Sequence, residues 1–184
     1  NLEIAKLLRN AAASYTIKNE NKFRFQIIAY QKAADAIQNS SSEVMDLFKE
    51  KKLSLLPGIG RSISSHLEEL FNTGKVKHFG WITQGIPKAV FPLLDVPTIG
   101  PKKAFKLTTE LSLKNPETAV NDLKKKGIQG KIAKIEGFGE KSQDDIIRAI
   151  SDYFLGKGKT TRMALPFAFE IAEKLVSYLK TSHA

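Results

Sequence analysis

The stretch Leu56-Pro57-Gly58-Ile59-Gly60-Arg61-Ser62-Ile63 suits an anion without offering a reactive side chain. Two glycines one residue apart allow backbone angles that a Cβ would block, and they let a phosphate come close to the main chain. A helix opening directly after them points its first N–H groups outward, with the positive end of its dipole. Such a pattern holds nucleic acid through its backbone and needs no base contact. It recurs as Val96-Pro97-Thr98-Ile99-Gly100-Pro101-Lys102-Lys103 and as Ile135-Glu136-Gly137-Phe138-Gly139-Glu140-Lys141-Ser142, with the second glycines 40 and then 39 residues apart. Three copies at near-constant spacing make an internal repeat in which a hairpin joins two helices.

Charge separates the three. The first hairpin has Arg61 and Ser62 at its exit and Lys75 and Lys77 a helix away, while the second has Lys102, Lys103 and Lys106 behind its turn. Glu136, Glu140, Asp144 and Asp145 surround the third against Lys134, Lys141 and Arg148, so it reads as a structural copy. Thr98 stands where the other two have their first glycine. Threonine fits a positive φ poorly, so this turn is expected to be less tight, although its hydroxyl could donate to a phosphate. The candidate phosphate contacts are therefore Gly58, Gly60, Arg61, Ser62 and Lys75 at the first hairpin, and Thr98, Gly100, Lys102, Lys103 and Lys106 at the second.

Other chemistry finds little support. The 184 residues contain no cysteine, which excludes disulfides and thiol or Cys-based zinc sites, and the three histidines at 66, 78 and 183 are too scattered to suggest a metal cluster. Two-metal phosphoryl transfer needs converging carboxylates, whereas Asp144 and Asp145 are neighbours on a helix and only Glu170 and Glu173 follow residue 155. Gly156-Lys157-Gly158-Lys159 lacks the spacing of a phosphate loop and reads as a linker. No apolar run approaches the roughly 20 residues that span a bilayer. The formal net charge of +10 favours a polyanionic partner. Its excess is +1 over residues 1–50, +3 over 51–100, +4 over 101–150 and +2 thereafter, so it gathers around the hairpins. A cytoplasmic protein is the simplest expectation.

The elements that must position the hairpins are helical. Ile4, Ala5, Leu8, Ala11 and Ala12 describe a helix over residues 2–14, followed by a turn at Asn19-Glu20-Asn21. A second runs from about Lys22 to Gln38 with Phe23, Ile27, Tyr30, Ala34 and Ile37 on one side. Ser40 to Glu43 offers a capping box for a short helix carrying Val44, Leu47 and Phe48. Ile63, Leu67, Leu70 and Phe71 line a fourth, which Gly74 ends. Residues 81–92, with Pro87 and Pro92, read as an irregular joint. Pro101 then starts a helix to about Leu113, Asn115-Pro116-Glu117 starts another that Gly127 closes, and Ile146, Ile147, Ile150 and Phe154 line the helix after the third hairpin. A long amphipathic helix is expected from about Thr161 to Lys180, either packing back or opening a further domain. The fold class is all-α, in units of 1–80, 81–158 and 159–184.

This order resembles the N-terminal half of family X DNA polymerases, particularly bacterial and archaeal members. Ala29-Tyr30-Gln31-Lys32-Ala33-Ala34, Leu56-Pro57-Gly58-Ile59-Gly60 with Gly74-Lys75, Ile99-Gly100-Pro101-Lys102-Lys103 and Gly137-Phe138-Gly139-Glu140-Lys141 carry the resemblance over nearly the whole chain. It implies a small lyase-type unit gripping the downstream duplex of a gap, then a duplex-binding subdomain, with a palm beginning near Arg162 and continuing past residue 184. A monovalent cation, Na or K, would be held by hairpin carbonyls of Ser54, Leu56 and Ile59 and of Leu94, Val96 and Ile99. Mg would belong to the palm alone. Of the family's 5′-phosphate pocket only Tyr30 matches, because Phe25, Gln26, Ser54 and Ser62 occupy its other positions. The lysine that forms a Schiff base in lyase-active members is matched by His66, which cannot form an imine.

The resemblance thus implies sequence-independent binding of duplex or gapped DNA by a monomeric, non-catalytic part of a repair polymerase. Two further readings stay open on the residues alone: a stand-alone repair or recombination scaffold of hairpin repeats, and a helical protein-interaction module whose hairpins only join helices.

Overall fold

A computed structural model describes residues 1–156 together with Glu173 and Val176. The expected tail helix, those two residues apart, lies outside the described part. Every element among the described residues is helical: α1 Leu2–Asn19, α2 Arg24–Gln38, α3 Val44–Lys49, a 3-10 turn at Leu53–Leu55, α4 Arg61–Thr73, α5 Lys77–Thr83, α6 Val90–Leu93, α7 Pro101–Glu110, α8 Ala119–Ile128 and α9 Glu140–Phe154.

Small side chains set the first half. Ala11, Ala12, Ala33 and Ala34 are all but inaccessible, so α1 and α2 approach closely and leave Leu8, Ile27 and Ile37 to fill the space around them. α1 runs five residues past the expected end at Ser14. Within it Ser14 and Thr16 satisfy their hydroxyls by donating to the carbonyls of Asn10 and Ala12, at 2.7 and 3.0 Å, one turn back. The extension buries Tyr15 in the first core and lays Ile17 against the second.

The capping box is not formed. Ser40 turns its hydroxyl onto Ser42, and α3 is capped instead from across the chain, where Asn1 accepts the Val44 N–H at 2.9 Å and donates to the Ser42 carbonyl. An unexpected helix, α5, follows α4 and delivers Phe79 and Ile82 to the first core. Gly74, at φ +73°, ends α4 as anticipated.

The second core runs from Ile86 to Ile150, with Leu93, Leu107, Leu123, Ile132 and Ile150 fully enclosed. α7 stops at Glu110, because Ser112 takes a left-handed φ of +50°. Asn115 accepts the Glu117 N–H in a local turn, which delays α8 until Ala119. Gly127 does not close α8. It lies inside the helix, where a Cβ would stand 2.9 Å from Ile147 Cγ1 and 3.1 Å from Ile132 Cδ1, so its missing side chain is what lets α9 seat against α8. Gly130, at φ +70°, is the left-handed residue beyond the helix end.

α1 ties the halves together. Besides the packing of Ile17, Lys6 pairs with Asp95 and Glu20 with Lys102, both at 2.7 Å. Two helical glycines then provide opposite tests of packing against propensity. Gly127→Ala should lower unfolding free energy by about 1 kcal/mol, since overpacking outweighs the gain in helix propensity. Gly80→Ala, where a Cβ meets nothing within 4 Å, should raise it, by roughly 0.5–1 kcal/mol. Urea titration of the two variants measures both.

Candidate nucleic-acid interface

The hairpins are three copies of one turn. Leu56, Val96 and Ile135 each accept a hydrogen bond from the residue three positions on, Ile59, Ile99 and Phe138, at 3.2, 3.2 and 2.9 Å. The third turn position carries the positive φ, +81° at Gly58, +74° at Thr98 and +81° at Gly137. A proline at the second position of the first two completes the residue pattern of a type II turn. The next residue, Ile59, Ile99 or Phe138, is buried and anchors the hairpin to its core. Gly60, Gly100 and Gly139 follow in extended backbone as helix N-caps, and their carbonyls accept the N–H groups of Ser64, Ala104 and Gln143 at 2.9–3.0 Å. A glycine cap has no side chain to occupy the first N–H groups of the helix, which leaves them to an outside acceptor.

Thr98 corrects an expectation. Its turn is as tight as the others, because the second core holds Ile99 and Val96 in place and drives the threonine into the left-handed region. Gly58 has a second requirement besides its φ. A Cβ there would lie 3.3 Å from Lys32 Cβ and 3.5 Å from the Lys32 carbonyl carbon, so the first hairpin rests directly on α2.

The expected contacts do not all lie together. Arg61, Ser62 and Lys75 are exposed, as are Lys102 and Lys103. Lys102, however, is engaged by Glu20 from the α1–α2 turn, and at 66% and 54% side-chain exposure this pair is weak enough to be exchanged for a phosphate. Lys106 is half-buried and leans away from its own hairpin, with Nζ 3.9 Å from where a Gly137 Cβ would be, and so gives the acidic third hairpin a cation. A cleft of about 470 Å³ separates the second hairpin from α9, lined by Pro97, Thr98, Lys103, Ser142, Asp145 and Arg148. Asp145 thus faces Lys103 rather than open solvent alone.

Tyr30 is the clear departure. It is 4% exposed, and its hydroxyl bonds His66 Nδ1 at 2.8 Å, which removes it from any surface contact. His66 in turn stacks on His78, with centroids 4.7 Å apart and planes within 7°, and His78 Nε2 bonds the Tyr15 hydroxyl. Burial pushes both tyrosine hydroxyls above their usual range. It pushes both imidazoles below theirs, reinforced at His66 by the neighbouring His78 and opposed at each by Glu69. The 12-residue separation of the histidines, on different helices, corresponds to no motif, and Glu20 was equally unmarked as a partner of Lys102.

Replacing the strained threonine tests the hairpin geometry. Thr98→Gly should stabilise the chain by about 1 kcal/mol, as the relief of a left-handed β-branched residue exceeds the entropy that glycine loses. A thermal melt should shift upward by roughly 3 °C, whereas Gly58→Ala, strained and crowded, should shift it down.

Comparison with known proteins matches these two halves separately. Residues 1–76 fit the family described as helix-hairpin-helix domain, and residues 91–152 the one described as SAM-like helix-hairpin-helix tandem. The chain is 29% identical over 177 residues to the DNA polymerase/3'-5' exonuclease PolX of Bacillus subtilis (strain 168), covering 96% of this chain and 29% of that protein. It therefore spans less than a third of the length of that relative. Both halves are thus built on the helix-hairpin-helix turn, and almost the whole chain is similar to a part of that PolX protein.

Proposed function

We propose that this chain binds DNA through backbone phosphates, independently of sequence, on duplex or gapped substrates, as the non-catalytic part of a polymerase acting in repair synthesis. One observation carries the reading: the first and second hairpins repeat the same turn, each with a glycine cap that opens onto a helix beginning with exposed cations. A phosphate at either hairpin meets unpartnered N–H groups, the positive end of a helix dipole, and then Arg61 and Ser62 or Lys102 and Lys103. None of these groups reads a base edge, so affinity comes without sequence preference.

The halves divide the work. The first hairpin, with Lys75, takes one stretch of backbone and the second another, held at a fixed separation by α1. Glu20 occupies Lys102 until a phosphate replaces it. The third hairpin, with Glu136 and Glu140 beside it, serves chiefly to hold α8 and α9. Hairpin carbonyls of Ser54, Leu56 and Ile59, and of Leu94, Val96 and Ile99, suit a hard monovalent cation. Leu56 and Val96 each spend one lone pair on the turn hydrogen bond and keep another. Such an ion would add positive charge beside the phosphate. Binding as a monomer in the bacterial or archaeal cytoplasm completes the proposal.

With about four to six phosphate contacts, the logarithm of the association constant should fall against the logarithm of salt concentration with a slope of roughly −4 to −5. Fluorescence anisotropy with a labelled duplex reads this, and an affinity flat across salt would refute it. Lys103→Glu should weaken binding more than Lys141→Glu, while Lys103→Ala should reduce the slope by about 1. Glu20→Gln should tighten binding by releasing Lys102. If Lys141→Glu proves more damaging than Lys103→Glu, the third hairpin carries the grip instead.

A further inference from the structure

His66 and His78 form a titratable cluster that phosphate binding does not use. Their stacked rings join α4 to α5, and their hydrogen bonds to Tyr30 and Tyr15 join that pair to α2 and α1. Phe79 packs edge-on against His66 and Tyr30, and Trp81 stands 5.7 Å from His78. Four helices of the first half therefore meet at two imidazoles.

We propose that this stack is an acid-sensitive latch. With both rings neutral it closes α4 and α5 onto α1 and α2. Proton uptake places two like charges face to face at 4.7 Å, and the latch opens. At each ring the nitrogen bonded to tyrosine already has its partner. If the tyrosine O–H is the donor, protonation at that nitrogen obliges the hydroxyl to become an acceptor and to place its own proton elsewhere.

The surrounding charges do not compensate. From α1, Tyr15 faces the pair, and Lys18 lies over Trp81, the ring next to His78, with Nζ 4.9 Å from its centroid. Tyr30 faces it from α2 and remains neutral across this range. Glu69, on α4, is the carboxylate that favours the charged rings, but it also accepts the Lys77 N–H at 3.2 Å. Burial holds both imidazoles below the ordinary value of 6.5, and at His66 the neighbouring His78 adds to it. The unfolded chain therefore takes up protons first. The stability contributed by the neutral pair is complete above about pH 6.5 and is lost as pH falls through the lower folded values.

Trp81 is the chain's single tryptophan and gives a probe beside the latch. Its emission should be quenched on acidification as His78 becomes a cation, and NMR should show the two imidazoles titrating in two separated steps. Melting temperature should fall by roughly 5 °C between about pH 7.5 and pH 5.5, and the His66→Gln/His78→Gln double variant should lose most of that fall. Should the double variant not fold, His78→Asn decides. His66 alone should then titrate in one step at a higher pH than in the wild-type chain. An unchanged His66 titration, or wild-type imidazoles titrating together at the ordinary value with a flat melting profile, would overturn the proposal. None of these measurements involves DNA, so the result stands apart from the reading of the hairpins.

Discussion

A backbone residue held in the left-handed region, with the next side chain buried, is the constraint on which the structure depends. The positive φ reverses the chain within four residues, and the buried Ile59, Ile99 or Phe138 fixes the reversal against a core. The following glycine then enters extended, so the helix after it starts with its N–H groups facing outward. Neither the exit helix nor its cations could be aimed if the turn were free to vary. The second hairpin measures the strength of this demand: threonine is forced to +74°, at a cost of about 1–2 kcal/mol, because Val96 and Ile99 leave the chain no other path.

Three such turns need a frame, and α1 supplies it. Alanines along α1 and α2 let the two helices lie close, which gives the first hairpin a flat backbone on which Gly58 can rest. The far end of α1 reaches the second core through Ile17 and takes Lys102 into an ion pair through Glu20 just beyond it. The same helix therefore sets hairpin spacing and competes for one of the hairpin cations. In the second core Gly127 plays the corresponding packing role, since its absent side chain brings α9, and with it the third hairpin, into place.

Local patterns were legible in the sequence, and long-range ones were not. The glycine spacing identified all three turns, and apolar periodicity located α1, α2, α4, α7 and α9. The misread positions depended on partners far along the chain. Asn1 caps α3 from 43 residues away, so the serines before it had no work to do. Gly127 resembled a helix end until Ile147 was placed beside it. Thr98 looked unsuited to its turn because propensity speaks for one residue, whereas tertiary packing decided its φ. Lys102 and Lys106 belong to one hairpin in sequence, yet one pairs with Glu20 in the α1–α2 turn and the other reaches the third hairpin.

His66 spends its side chain on joining helices rather than on an open surface. Its Nδ1 is engaged by the Tyr30 hydroxyl, and one face of the ring is covered by His78. Tyr30 is buried beneath it, and the pair holds helices together. Under the latch proposed above, the rigidity of this half is tied to the protonation of two rings that join α4, which begins at Arg61, to α5, α2 and α1.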